Sequence, residues 1–493
     1  MTPVSAAVPT DSTTFRSMVT VAGISEHLAG LQSAANTSAG NRASGTPGYE
    51  ASARYVEGRL RAAGYTPQRQ DFDFDFFQER NPGTFARVSP QGETYAAGGD
   101  FEVMEYSAST GGVPLSAPLK AVAGNQIPPG ATAGSSSAGC EAADFVGDFS
   151  GTVALIQRGT CDFAVKVANA AAAGAVGAII FNEGQEPDRT GVLLGTLGSP
   201  AAIPALGTTF ALGAELAGLL SGGPVTVSLS TDTISETRQT FNVIAQTPTG
   251  RTDRVVVVGA HLDSVPEGPG INDNGSGSAT ILEIAEQLRN VPTTNAVRFG
   301  FWGAEEAGLL GASYYVSQLR PREVKDIAVN LNFDMLGSPN FGRFIYDGDG
   351  SATDASGPTG SGNVERVFTE YFASQGLYTE PTAFDGRSDY GPFIDAGIPA
   401  GGLFSGAEDI KTAEQAAPSK FGGAGGVAFD TCYHQACDDL SNINAKGLHE
   451  LADGAAHAVL TFAQTTSSVS GASRASTGTA GAAAEFSGRH LKR

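Results

Sequence analysis

At 493 residues, 41% of them hydrophobic, the chain is long enough for about two or three domains. A formal net charge of −21 excludes a nucleic-acid surface, which needs clustered Lys and Arg, but not a metal site, because carboxylates attract divalent cations. No apolar run approaches the roughly 20 residues that span a bilayer, so no membrane segment is expected. Residues Met1 to Thr14 lack the basic start and apolar stretch of a signal peptide and read as the small-residue end of a processed leader.

HLAGLQSAAN and YEASARYVEGRLRAAGY read as helices, the second with Tyr55, Leu60 and Ala63 near helical spacing and Gly64 as its stop. QRQDFDFDFF follows as a strand. From about Thr84 to Val225 the chain turns rich in Gly, Ala and Ser. There TVALIQRG and AVGAIIFN are short strands around a small-residue helix, AVKVANAAAAG. From about Thr240 apolar strands alternate with helices: FNVIAQTP, RVVVVGAH, SATILEIAEQL, AVRFGFWG, LLGASYYVSQL and IAVNLNFDML, with a closing helix around GLHELADGAAHAVLTFA. That alternation predicts an α/β fold, a mostly parallel mixed sheet covered by helices on both faces. The expected division is 15–85 and 235–466 for the main domain, 86–234 for a small β-rich insertion, and 467–493 for a disordered Ser/Gly/Ala tail.

Chemistry gathers where predicted strands end. His261 follows VVVVGA, Glu305 and Glu306 follow FGFWGA, and Asp334 ends VNLNF. The carboxyl edge of an open α/β sheet is where ligands bind, and three strands delivering ionisable groups there outweigh the usual solvated strand end. Asp263 stands two residues after His261, able to orient the ring, and Asp273 lies in the glycine-rich loop PEGPGINDNGSGS. That loop lacks a G-K-[ST] ending, so it is not a phosphate-binding loop. In the Glu305–Glu306 pair, one carboxylate can ligate metal while its neighbour stays free as a general base. His434 lies in C-Y-H-Q-A-C, with Tyr433 beside it.

The cysteines of that motif, Cys432 and Cys437, and the separate pair Cys140 and Cys161 permit three pairings, of which the local ones suit the chain layout. C-x-H-x-x-C is not a standard structural zinc spacing. Two disulfides point to an oxidising compartment, hence a secreted, extracellular protein, expected as a monomer. Two histidines (His261, His434) and three carboxylates (Asp273, Glu306, Asp334) suffice for two metals if one carboxylate bridges. Mixed N/O ligands suit zinc, replaceable by cobalt or manganese, whereas a calcium site is possible without a location. His27, His449 and His457 fall on predicted helices and His490 in the tail, all without an expected role.

The ordered motifs HLDS, NDNG, GAEEAGLLGAS, NFDMLG, GRSDYGPF and YH, with the early NRASGTPGYEASARYVEGRL, together resemble the di-zinc aminopeptidase family of secreted bacterial leucyl aminopeptidases, aminopeptidase Y and glutamate carboxypeptidase. The resemblance implies His261 and Asp334 on one zinc, Glu306 and His434 on the other, and Asp273 bridging. It implies Glu305 as general base and acid, Tyr433 as donor to the oxyanion, Asp263 behind His261, and a cis Asp273–Asn274 peptide. It also implies substrate contact by Arg387 and an apolar pocket wall at Phe404. GDFSGTVALIQRGTCDFAVKVANAAAAGAVGAIIFN resembles a protease-associated domain, thought to cap or modulate access. The expected activity is removal of N-terminal residues from peptides, large hydrophobic ones above all. Its rivals are a carboxypeptidase or dipeptidase on the same scaffold, a one-zinc glutaminyl cyclase, and a non-catalytic receptor-like relative. A serine hydrolase is disfavoured because no G-x-S-x-G occurs between a strand and a helix.

Overall fold

The computed structural model describes residues 11–185 and 189–470, and residues 73–238 separate from the rest as a compact unit of their own. The expected insertion, 86–234, falls inside that unit, because the chain enters and leaves it within the long strands Gln68–Ser89 and Thr226–Gln246.

In the larger unit, α1 (Val21–Asn36) and α2 (Pro47–Ala62) precede the insertion. The Thr46 side chain caps α2 at the Tyr49 amide, Pro47 opens it, and Tyr49, Ala53, Val56 and Leu60 bury one face. Gly64 ends it in the left-handed region at φ 87°, which lets the Tyr65 amide reach the Leu60 carbonyl at 3.0 Å.

Then follow β1 (Thr226–Gln246), β2 (Arg251–His261), α3 (Gly277–Leu288), β3 (Asn295–Trp302), α4 (Leu310–Ser317), β4 (Ile327–Phe333), β5 (Phe344–Tyr346), α5 (Ser361–Ser374), β6 (Glu380–Thr382), β7 (Ala400–Phe404) and α6 (Ala445–Gln464). The strands lie in the order β6-β5-β7-β4-β2-β3-β1. Neighbours β3–β2, β2–β4, β4–β7 and β5–β6 run parallel, whereas β3–β1 and β5–β7 are antiparallel, so the sheet is mixed and mostly parallel. Val256 to Val258 of β2, Val329 and Leu331 of β4 and Phe299 of β3 are fully buried, as central strands covered on both faces require.

In the inserted unit Val153–Gln157 and Gly177–Phe181 run parallel with the helix Phe163–Ala172 between them. Disulfides join Cys140 to Cys161 and Cys432 to Cys437. Among the described residues no helix is long and apolar enough to cross a membrane. The expected disordered tail is corrected at its start: Ser467–Ser470 form a helical turn, because Val469 is apolar and buries in the main core. His490 and the rest of that expected tail, 471–493, lie outside the described residues.

Candidate metal centre

Three strand ends, the turn that carries Asp273 and one disulfide loop converge. His261 ends β2 opposite Trp302 of β3, so the two strands stop at one level and the Glu305–Glu306 turn lies beside the imidazole. Asp334 comes immediately after β4, the next parallel strand on the other side. His261 Nε2 lies 3.2 Å from Asp273 Oδ1, 3.4 Å from Asp334 Oδ1 and 3.8 Å from Glu305 Oε2. His434 Nε2 lies 3.2 Å from Asp273 Oδ2 and 3.1 Å from Glu306 Oε2. Asp273 therefore turns one oxygen to each imidazole. His261–Asp273–Asp334 and Asp273–Glu306–His434 form two groups sharing that one carboxylate, each compact enough to hold a metal ion.

Local backbone explains how these side chains reach one place. Asp273 belongs to a π-turn, Ile271–Ser276, whose Asp273–Asn274 peptide is cis. Gly270 (φ 59°) enters the turn where an added Cβ would strike the Asp273 carbonyl. Ala304 (φ 52°), Met335 (φ 53°) and His434 (φ 57°) are non-glycine residues in the left-handed region. They stand just before Glu305, just after Asp334 and at His434 itself, and such strain persists where the surroundings enforce it for a purpose. The Cys432–Cys437 bridge, with Cα atoms 5.3 Å apart, closes the loop that carries His434. Tyr433 stacks on His434 with ring centroids 3.9 Å apart.

Asp263 stands behind His261 with both its carbonyl and its carboxylate. Nδ1 meets the Asp263 main-chain carbonyl at 3.2 Å, and the carboxylate, 3.7 Å away, accepts the Glu305 amide at 3.2 Å. Arg387 reaches the Tyr433 hydroxyl at 3.3 Å. Phe404 ends β7, whose Leu403 pairs with Phe333 just before Asp334, and its ring lies 6.0 Å from Phe344. His27 is fully buried against the Tyr55 hydroxyl (2.9 Å), with Glu283 3.4 Å away, and His457 meets Ser12 at 2.8 Å.

Sequence reasoning missed three residues that hold the ligands in place, two of them through the backbone. Arg42, fully buried, donates to the carbonyls of Leu262, Pro269 and Gly270 and so grips both ends of the segment leading to Asp273. Asp438 accepts the amides of Asn272 (2.8 Å) and Asp273 (3.0 Å). Ser388 donates to Asp334 Oδ2 at 2.5 Å. The available signals were a lone arginine in the small-residue stretch NRASGTPG, the aspartate just after the disulfide loop, and the Ser-Asp of GRSDY.

The electrostatics call for positive charge. Burial pushes Glu305 well above the usual carboxylate range, raises Glu306, and drives Asp438 up to about 7. Burial would lower His434, yet Glu306 and Asp273 carry it up to about 10. Burial would likewise raise Asp273, but the two imidazoles hold it well below the carboxylate range. Glu306 Oε1 and Asp334 Oδ1 are buried and accept no hydrogen bond among the described residues. Buried acceptors left over beside imidazole nitrogens fit divalent cations, and imidazole with carboxylate suits zinc.

Residues 242–459 match peptidase family M28, and residues 120–216 match the PA domain. An aminopeptidase from Pseudomonas aeruginosa is 46% identical over 435 residues, covering 87% of this chain and 78% of that protein. The chain belongs to peptidase family M28. Leucine aminopeptidase 2 of Arthroderma otae is 47% identical over 327 residues, 66% of this chain and 65% of that protein. A solved zinc aminopeptidase from Bacillus subtilis superposes with a TM-score of 0.60 at 26% identity, covering 92% of this chain and 98% of that one. This M28 chain is thus a metallopeptidase of the aminopeptidase kind, with a PA domain inserted in its α/β fold.

Proposed function

We propose that this M28 peptidase is a secreted two-zinc aminopeptidase that removes large hydrophobic residues, leucine above all, from peptide N-termini. The observation that carries the two-metal reading is Asp273, whose oxygens lie 3.2 Å from His261 on one side and 3.2 Å from His434 on the other. His261 and Asp334 would hold one ion, Glu306 and His434 the other, with Asp273 between. Zinc bound there supplies Lewis acidity, which makes water acidic near neutral pH and polarises a carbonyl.

The chain's own groups supply the proton handling. Glu305, buried beside His261 and close enough to His261 and Glu306 to form a third ligand-like group with them, is the carboxylate left over once Asp273 bridges. It takes a proton from the attacking water and later gives it to the leaving amine. Tyr433 donates its hydroxyl hydrogen to the carbonyl oxygen as negative charge builds there. The excess of buried carboxylates attracts the free α-ammonium, so a blocked N-terminus should be refused. The leucine preference is supported by the half-buried Phe404, which packs on the buried rings of Phe344, Phe421 and Phe429, and by the leucine aminopeptidase relative. Secretion is supported by the two disulfides.

The deciding experiment compares leucine para-nitroanilide with its N-acetylated form while metal content is measured. Cleavage of the free form alone, with about two zinc ions per chain, is expected. Cleavage of the acetylated substrate would rule out an aminopeptidase. Glu305→Ala should abolish turnover and keep both metals, and retained activity would end its assignment as base.

A further inference from the structure

The rim of the metal centre carries a pairing that no role above absorbs. Arg387 Nη2 lies 2.9 Å from Glu408 Oε1 and 3.3 Å from the Tyr433 hydroxyl. That nitrogen bears two hydrogens, one for each acceptor, so both contacts form at once. Arginine has no acceptor, so the contact with Tyr433 runs one way: the guanidinium donates and the phenol oxygen accepts. The hydroxyl's own hydrogen is thereby turned away from Arg387 and left to donate elsewhere. Tyr433 in turn is fixed by its stack on His434 and by the neighbouring Cys432–Cys437 bridge, so the direction of that hydrogen is the freedom that remains.

The geometry points to Glu408 as a positioning residue for catalysis. It anchors the Arg387 guanidinium against the Tyr433 oxygen, which aims the tyrosine hydrogen at the substrate carbonyl. Glu408 touches neither the metal ligands nor the reacting atoms and acts through Arg387. The arginine is 37% exposed and the glutamate 44%, and an ion pair this open contributes little to folding. A conserved net fold with altered turnover is therefore the signature sought. The remaining hydrogens of Arg387, on Nε and Nη1, stay free for substrate, so the arginine can serve both purposes. The inference rests on Tyr433 being the donor to the carbonyl.

The test is a double-mutant cycle on the purified zinc enzyme with leucine para-nitroanilide, reading kcat and KM separately. Glu408→Ala should lower kcat by about threefold to tenfold, the range of one hydrogen bond, with KM and melting temperature unchanged. Glu408→Gln, which keeps an acceptor oxygen at the same place, should regain part of the loss. In a Tyr433→Phe background Glu408→Ala should have no further effect on kcat. An equal loss in that background, a loss confined to KM, or no loss in the single variant would each overturn the positioning role. If Tyr433→Phe alone keeps the parent kcat, the donor role of Tyr433 fails instead, and the two failures are told apart.

Discussion

Asp273 offers one oxygen to each imidazole, so its loss should empty both halves of the site rather than one. Changing a residue that merely stands behind a ligand lowers metal affinity by about 10- to 100-fold. Asp273→Ala should exceed that, with zinc per chain falling below one by elemental analysis, and an unchanged zinc content would contradict bridging. Arg42 belongs to the same scale through a different mechanism. Its replacement by alanine would orphan the carbonyls of Leu262, Pro269 and Gly270 in a buried place, costing about 3 kcal/mol or more of stability in denaturant titration. These two residues also show what was legible. His261, Glu306, Asp334 and Asp273 stand out in the sequence because ionisable side chains interrupt apolar strands or a glycine loop. Arg42 and Asp438 do not, because they bind main-chain groups, and any residue sequence can supply those. Asp263 faces the His261 ring with two groups, its carbonyl at 3.2 Å and its carboxylate at 3.7 Å, and a sequence cannot tell which of them is nearer.

Elements with a clear period were readable: β2, β3 and β4 as apolar runs, α2 and α6 as amphipathic or small-residue helices. The kinks at Ala304, Met335 and His434 were not, since a left-handed non-glycine residue is enforced by tertiary packing and leaves no compositional mark. The His434 loop depends on its bridge, so Cys432→Ser with Cys437→Ser should weaken zinc binding about tenfold or more against a chelator. The same change at Cys140 and Cys161, in the other unit, should leave it alone. Helix α6 carries a pH response of its own. Burial, then the charge of Arg16, lowers His457 to about 4, against an ordinary value near 6.5. The unfolded chain takes up that proton first, so stability is complete above about pH 6.5, falls as pH drops toward 4, and falls no further from this cause below that. The total is about 3 kcal/mol at most. His457→Phe, which keeps the stack on Tyr371, should flatten the decline in melting temperature across that window.

At the scale of the whole chain, each compact unit is built around its own apolar interior. The larger unit gathers residues from Phe15 through Val469 around β1 to β4 and α1, α2, α3 and α6, and all the proposed metal ligands, Glu305, Arg387, Glu408 and Tyr433 belong to it. The inserted unit buries Met104, Val122, Ile156, Val167 and Ile180 in one cluster and Phe85, Leu155, Ile179, Leu206 and Leu229 in another, on the two faces of its strands. Its alternating strand pattern, Leu155 and Ile179 to one side, Ile156 and Ile180 to the other, needs no further element to hide it. Its size lies within the about 50–250 residues of an ordinary domain. A fragment comprising Asp73–Arg238, produced under oxidising conditions, should therefore fold alone and melt in one cooperative transition followed by circular dichroism. The Cys140–Cys161 bridge spans 21 residues, a loop whose closure in the unfolded chain is worth about 3 kcal/mol. Reduction should accordingly lower the melting temperature of the fragment by several degrees without removing the transition. A fragment that shows no cooperative melting even when oxidised would mean that the interior seen here is insufficient on its own.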